Sequence, residues 1–138
     1  MASPVKNDID TPQIPVGAGA ATALIYGTKW GSSSLGVGVT ITWSVPKGTA
    51  WFVDTYEYSG ENSSWHGLSA NEVTGVTKAL GAWAKVSGIS TLKVSDTKST
   101  VGEIRFAKTS SGPADATAHA YAPWEDPHGG DVWMNAYH

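Results

Sequence analysis

Val37-Gly38-Val39-Thr40-Ile41-Thr42-Trp43-Ser44-Val45-Pro46 is the stretch on which the fold turns. Val37, Val39, Ile41, Trp43 and Val45 alternate with glycine, threonine and serine, so one side of an extended chain is apolar and the other polar. That period of two predicts a half-buried β-strand over 37–45. Pro46 has no N–H to give a neighbouring strand and ends it.

Upstream, residues 1–21 are rich in proline, glycine and alanine without an apolar period. They are expected to form a flexible N-terminal arm or the remnant of a leader, with one ordered unit over 22–138. Lys6, Asp8 and Asp10 interrupt the start, where an export signal needs a basic end followed by an apolar run, so no such signal is expected there. The uncharged run 31–45 is too short and too polar to cross a bilayer.

Downstream, residues 51–58 read either as a short second strand or as a long aromatic loop, because the turn residues Gly60-Glu61-Asn62-Ser63-Ser64 follow at once. Ser69-x-x-Glu72 is a capping box, and Leu68 with Val73 suits the hydrophobic staple around it. Val73, Val76, Leu80, Trp83 and Ala84 then recur at intervals of three and four, and Gly88 offers a left-handed stop, which predicts a helix over 70–87. Gly75 and Gly81 inside it cost roughly 1 kcal/mol each relative to alanine; their small surface would let the helix sit close to a sheet. Four short alternating runs complete the pattern, at 91–94, 102–106, 118–121 and 131–134, with a polar turn over 96–100. The fold class is therefore α/β. Trp43, Trp83, Phe106, Tyr121 and Trp133 occupy apolar positions of these elements and are expected in the core.

A helix of about 18 residues is roughly 27 Å long and about 10 Å across, whereas five strands about 4.8 Å apart make a sheet about 24 Å wide. One helix leaves part of a sheet face bare, and a bare apolar face of that size predicts a partner, either further chain or self-association.

Composition narrows the chemistry. The chain has 138 residues, 41% of them hydrophobic, enough for one core. Its formal charge is -3 and its nine basic residues are scattered, which argues against nucleic acid or an anionic membrane as partners. With no cysteine, disulfides, cysteine-ligated zinc and thiol catalysis are excluded. His66, His119, His128 and His138 never have the spacing of H-E-x-x-H, and there is no G-x-S-x-G or Walker motif. Glu57 with Glu61, and Glu125 with Asp126, are loop carboxylates and read as solvated surface. Residues 119–131 combine two histidines with the turn Gly129-Gly130-Asp131, which reads either as a cation site or as an ordinary turn. Seven tryptophans leave a glycan-binding domain as an alternative.

Six segments in order carry a resemblance. Leu24-Ile25-Tyr26-Gly27-Thr28-Lys29-Trp30, Ile41-Thr42-Trp43-Ser44-Val45-Pro46 and Ala79-Leu80-Gly81-Ala82-Trp83-Ala84-Lys85-Val86 are the first three. Val101-Gly102-Glu103-Ile104-Arg105-Phe106, Ala118-His119-Ala120-Tyr121-Ala122-Pro123 and Gly129-Gly130-Asp131-Val132-Trp133-Met134-Asn135 follow. Together, over about 24–135, they resemble serralysin-type metzincin zinc metalloproteases, relatives of the matrixins. The resemblance implies the upper subdomain of such a domain: a twisted, mostly parallel five-stranded sheet with one antiparallel edge strand and one long helix over 70–87. It implies a secreted enzyme that hydrolyses peptide bonds of extracellular proteins. In that family H-E-x-x-H-x-x-G-x-x-H holds the catalytic zinc; the motif does not occur in residues 1–138, so no catalytic residue is assigned here and the chain alone is expected to be inactive, truncated before the zinc-binding helix. The edge strand, here Thr117, Ala118, His119, Ala120 and Tyr121, is implied to pair with the polypeptide substrate. His119 matches a structural-zinc ligand of matrixins, but Trp133 stands where a further ligand histidine would be. Asp131 matches a calcium-binding aspartate of matrixins, which makes calcium the implied ion there. A free-standing peptide-binding module derived from a protease is the alternative of a different class.

Overall fold

In a computed structural model the described residues are 27–34 and 36–137. The arm expected over 1–21, and the first residues of the resemblance, lie outside them. In chain order the elements are β1 (Thr40–Ser44), β2 (Trp65–His66), α1 (Ala70–Val86), β3 (Ser90–Lys93), β4 (Ile104–Thr109), β5 (Ala118–Ala120) and β6 (Asp131–Asn135). The strands form one sheet in the order β3-β1-β4-β6-β5. β1 runs parallel to β3 and β4, β4 runs parallel to β6, and β5 lies antiparallel to β6 at the edge. The described residues are thus mixed α/β, a mostly parallel sheet with one helix. A sixth strand, β2, pairs antiparallel with the end of β4, through Trp65 opposite Thr109 and His66 opposite Lys108, where β1 no longer reaches. Two residues are too few to show a period, so this strand has no signature in the sequence. The first strand is also shorter than its pattern: Val37 is half exposed and pairing starts at Thr40.

Burial alternates along β4, and Arg105, Ala107 and Thr109 all point into one packed face with Asp131 and Trp133 of β6. Among the described residues no helix covers that face. The loop 45–64 does, so residues 51–58 are a loop. Phe52 stacks at 4.9 Å from the Trp133 ring, with Ala107 beneath and Ala50, Tyr56, Trp65 and Tyr121 around them. Arg105 ties the loop down. Its Nε and Nη2 donate to the two carboxylate oxygens of Asp96 at 2.8 and 2.7 Å, its Nη1 donates to the Trp51 carbonyl at 2.6 Å, and its guanidinium lies 3.9 Å from the centre of the Phe52 ring. Asp96, placed by its neighbours in a polar turn, has a side chain only 2% exposed and also accepts from Ser44 Oγ.

On the opposite face α1 begins as its capping box dictates: the Glu72 N–H donates to Ser69 Oγ and the Ser69 N–H to Glu72 Oε2 at 2.6 Å. Its end differs from expectation. Ser87 turns extended, and both its N–H and its hydroxyl donate to the Trp83 carbonyl. Gly88 is not left-handed. The glycine that close approach requires is Gly38, where a Cβ would lie 1.9 Å from the Gly88 carbonyl oxygen, whereas a Cβ on Gly88 would come no nearer than 3.5 Å to the Gly38 backbone. Gly75 and Gly81, by contrast, face open space and do not bring the helix closer to the sheet. Of the apolar stripe only Val76 is buried, and Trp83, expected in the core, is 67% exposed. Phe106 and Tyr121 are half-buried, while Trp43 and Trp133 are buried as expected. α1 packs along β3 and stops short of β6. A groove of about 450 Å³ is left between helix and sheet, lined by Val76, Leu80, Trp83, Phe106 and Met134. Among the described residues no helix is long and apolar enough to cross a membrane.

Hydrogen bonds from the backbone and hydroxyl of Ser69, then from Lys108, lower the Glu72 carboxyl from 4.5 to about 2. A depressed carboxyl stabilises the fold above its unfolded value, and that contribution is lost as pH falls through the folded one. Stability should therefore decline between pH about 4.5 and about 2. In Glu72→Gln this part of the slope should be absent, as urea unfolding at a series of pH values would show.

Candidate functional site

Among the described residues the edge strand β5 is paired on one side only. Its register sets Ala118 opposite Met134, His119 opposite Trp133 and Ala120 opposite Val132. The ladder is closed by the Tyr121 N–H donating to the Asp131 carbonyl at 2.9 Å and the Asn135 N–H donating to the Thr117 carbonyl at 2.8 Å. In an antiparallel pair, hydrogen-bonded and non-hydrogen-bonded positions alternate. Thr117, His119 and Tyr121 therefore turn their backbone groups towards β6. Ala118 and Ala120 turn theirs outward, to an edge on which no strand pairs among the described residues. Both alanines are exposed. Of the expected edge residues Thr117 to Tyr121, the middle three form the strand and the outer two continue its ladder.

Beneath this edge lies a group of polar side chains. Glu61 is fully buried. Its Oε2 accepts from the Tyr121 hydroxyl at 2.6 Å, and its Oε1 meets His119 Nε2 in a short contact. Tyr121 Oη also accepts from the Glu57 N–H at 3.0 Å. A solvated loop position was expected for Glu61. Instead Gly60, at φ +94°, turns the chain inward, Ser63 and Ser64 donate back to its carbonyl, and Thr109 Oγ1 donates to the Glu61 carbonyl at 3.2 Å. Rings close the group: Tyr58 stands 5.1 Å from His119, and His128 stands 5.1 Å from Tyr121. Beside it Tyr56 donates to Asp131 Oδ2 at 2.6 Å. Burial, then the Asp131 carboxylate, push the Tyr56 hydroxyl far above the ordinary tyrosine range; burial, then the bond to Glu61, push Tyr121 the same way. Both tyrosines are thus fixed as donors at neutral pH.

The surroundings of Asp131 do not fit a calcium ion, which takes six to eight oxygen ligands. The side chain is 2% exposed and accepts from Tyr56, while the carbonyls of His128, Gly130 and Asp131 each accept a backbone N–H. Among the described residues no three histidine, aspartate or glutamate side chains are grouped to hold a metal. His66, the other described histidine, lies apart on β2 and bonds Ser110 Oγ at 3.0 Å.

Sequence reasoning missed Glu61, Tyr56 and Asp96. The only local signal was the spacing of Tyr56 and Tyr58 ahead of the turn, matched by Tyr121 and two histidines later in the chain. A scan against protein-family models found no match to this chain, and a search of curated proteins found none either.

Proposed function

We propose that this sheet is the substrate-pairing part of a secreted zinc-dependent metalloendopeptidase of the serralysin type, acting on extracellular proteins. The observation that carries it is the antiparallel edge strand β5, with the backbone donors and acceptors of Ala118 and Ala120 turned outward. An extended peptide adds to such an edge as a further strand, and main-chain hydrogen bonds supply the affinity. The protease reading rests on the six ordered segments of resemblance. Zinc, when bound by an H-E-x-x-H-x-x-G-x-x-H helix, activates the attacking water; its ligands are not among residues 1–138. The residues of this chain bind and orient the peptide, and by themselves hydrolyse nothing. The apolar groove beside α1 is the face on which a second helix would rest.

The test is a titration of the ¹⁵N-labelled chain with a blocked hexapeptide of alternating valine and threonine, flanked by lysines. Amide shifts should concentrate at residues 117–122. Shifts centred on the groove near Trp83 and Phe106, or none, would count against it. The coding sequence after His138 gives an independent check, since an in-frame H-E-x-x-H within a few tens of codons is expected and a stop codon is not. The exposed Trp83 at the bare groove also suits a peptide-binding module that self-associates there and does not cleave. A monodisperse dimer in light scattering that binds the hexapeptide intact would favour that module.

A further inference from the structure

We infer that Glu61 is a positioning residue for this edge, a buried clamp that holds β5 in the geometry a peptide needs without touching the peptide itself; the inference rests on the peptide-pairing role proposed above. A strand of three residues paired on one side frays easily, because few backbone bonds oppose its opening. Among the described residues β5 has only β6 as a neighbour. The side chains at 119 and 121 project to the same face, two positions apart on one strand. One carboxylate meets both: Oε1 takes His119 Nε2 and Oε2 takes the Tyr121 hydroxyl.

Those two contacts set the rotation of the strand about its own axis. Once His119 and Tyr121 are turned inward, the backbone groups of Ala118 and Ala120 must face outward, since they alternate with them. The clamp is itself anchored. Thr109 Oγ1, on the central strand β4, donates to the Glu61 carbonyl, and Asn62 on the same turn donates to the Val53 carbonyl at 2.8 Å. The edge is thereby referenced to the middle of the sheet through a side chain that is 0% exposed. Glu61 is fully buried, so its loss removes the carboxylate that His119 and Tyr121 share. A strand ordered beforehand spares the peptide the cost of ordering it on binding.

The experiment compares the full chain with Glu61→Gln and Tyr121→Phe. Three readouts are taken: affinity for the valine–threonine hexapeptide, hydrogen exchange at the Tyr121 and Asn135 amides that bridge β5 and β6, and global urea unfolding. Removing one charge-assisted hydrogen bond should weaken hexapeptide binding about tenfold in Glu61→Gln, and by less in Tyr121→Phe, which loses only a hydroxyl. The Tyr121 and Asn135 amides should exchange faster while amides of β4, such as that of Ala107, keep their protection. A purely structural role would move all of these amides together with global stability. Unchanged affinity and unchanged exchange in both variants would overturn the clamp and leave peptide pairing intact. If the wild-type chain fails to bind the hexapeptide, the pairing role falls, and faster local exchange in the variants still decides whether Glu61 holds the strand. Should Glu61→Gln fail to fold, Tyr121→Phe carries the comparison, and equal exchange in that variant would overturn the inference.

Discussion

Asp96→Ala should cost about 3–5 kcal/mol of folding stability, because it leaves the Arg105 guanidinium buried without its counter-charge. Small domains have only about 5–15 kcal/mol in total, so the variant should be largely unfolded in modest urea. The size of the effect follows from geometry. Arg105 and Asp96 meet through two parallel bonds with side chains 1% and 2% exposed, and solvent cannot screen or replace them. The same guanidinium holds the Trp51 carbonyl and stacks on Phe52, so releasing it loosens the loop that roofs the packed face. Urea unfolding followed by tryptophan fluorescence measures the loss; a drop below about 1 kcal/mol would mean the pair does not anchor the loop. Replacing both partners, as in Asp96→Leu with Arg105→Met, should recover part of the stability, since an apolar pair of similar volume leaves no buried charge uncompensated.

Gly130→Ala should cost about 2–5 kcal/mol, from left-handed strain and overpacking together. Gly130 has φ +80°, and an added Cβ would lie 2.3 Å from the Glu103 carbonyl oxygen and 2.8 Å from the Trp30 ring. Backbone on that side cannot move without breaking the pairing of β4 with β6, for the Gly130 carbonyl accepts from Arg105 and its N–H donates to Tyr121 and Ala122. Gly48→Ala is the control. Gly48 is also left-handed, at φ +75°, but a Cβ there meets nothing within 4 Å, so it should show only the conformational cost of about 1–2 kcal/mol. Equal losses at the two positions in thermal or urea unfolding would refute the steric part of the explanation.

How far the fold could be read in advance depended on whether its cause was local. The alternation around Ile41 and Trp43, the capping box at Ser69 and the strand at Asp131 each depend on neighbours a few residues away, and all three stand in the structure. The order of strands and the open edge at Ala118 to Ala120 do not arise locally; they come from pairings across tens of residues. Trp83 shows the opposite failure. Its helical spacing put it on the apolar stripe, but a stripe tells which face is apolar and not how far the opposing sheet extends beneath it. At its position the sheet surface consists of half-buried Phe106 and Met134, and the ring stays 67% exposed at the rim of the groove.

By itself the sequence determined the composition-level exclusions, the α/β class, the start of α1 and the main strands, because those follow from backbone propensities and side-chain periods that act over a few residues. Only the tertiary structure decided that the side chains of Glu61 and Asp96, both in stretches that look like ordinary polar turns, are buried. A carboxylate in a turn goes to water unless a distant part of the chain brings donors to it. Here Tyr121 with His119 reach Glu61 from 60 and 58 residues away, and Ser44 reaches Asp96 from 52. No period or spacing along the chain encodes such meetings, which arise only once the sheet has set its strands side by side.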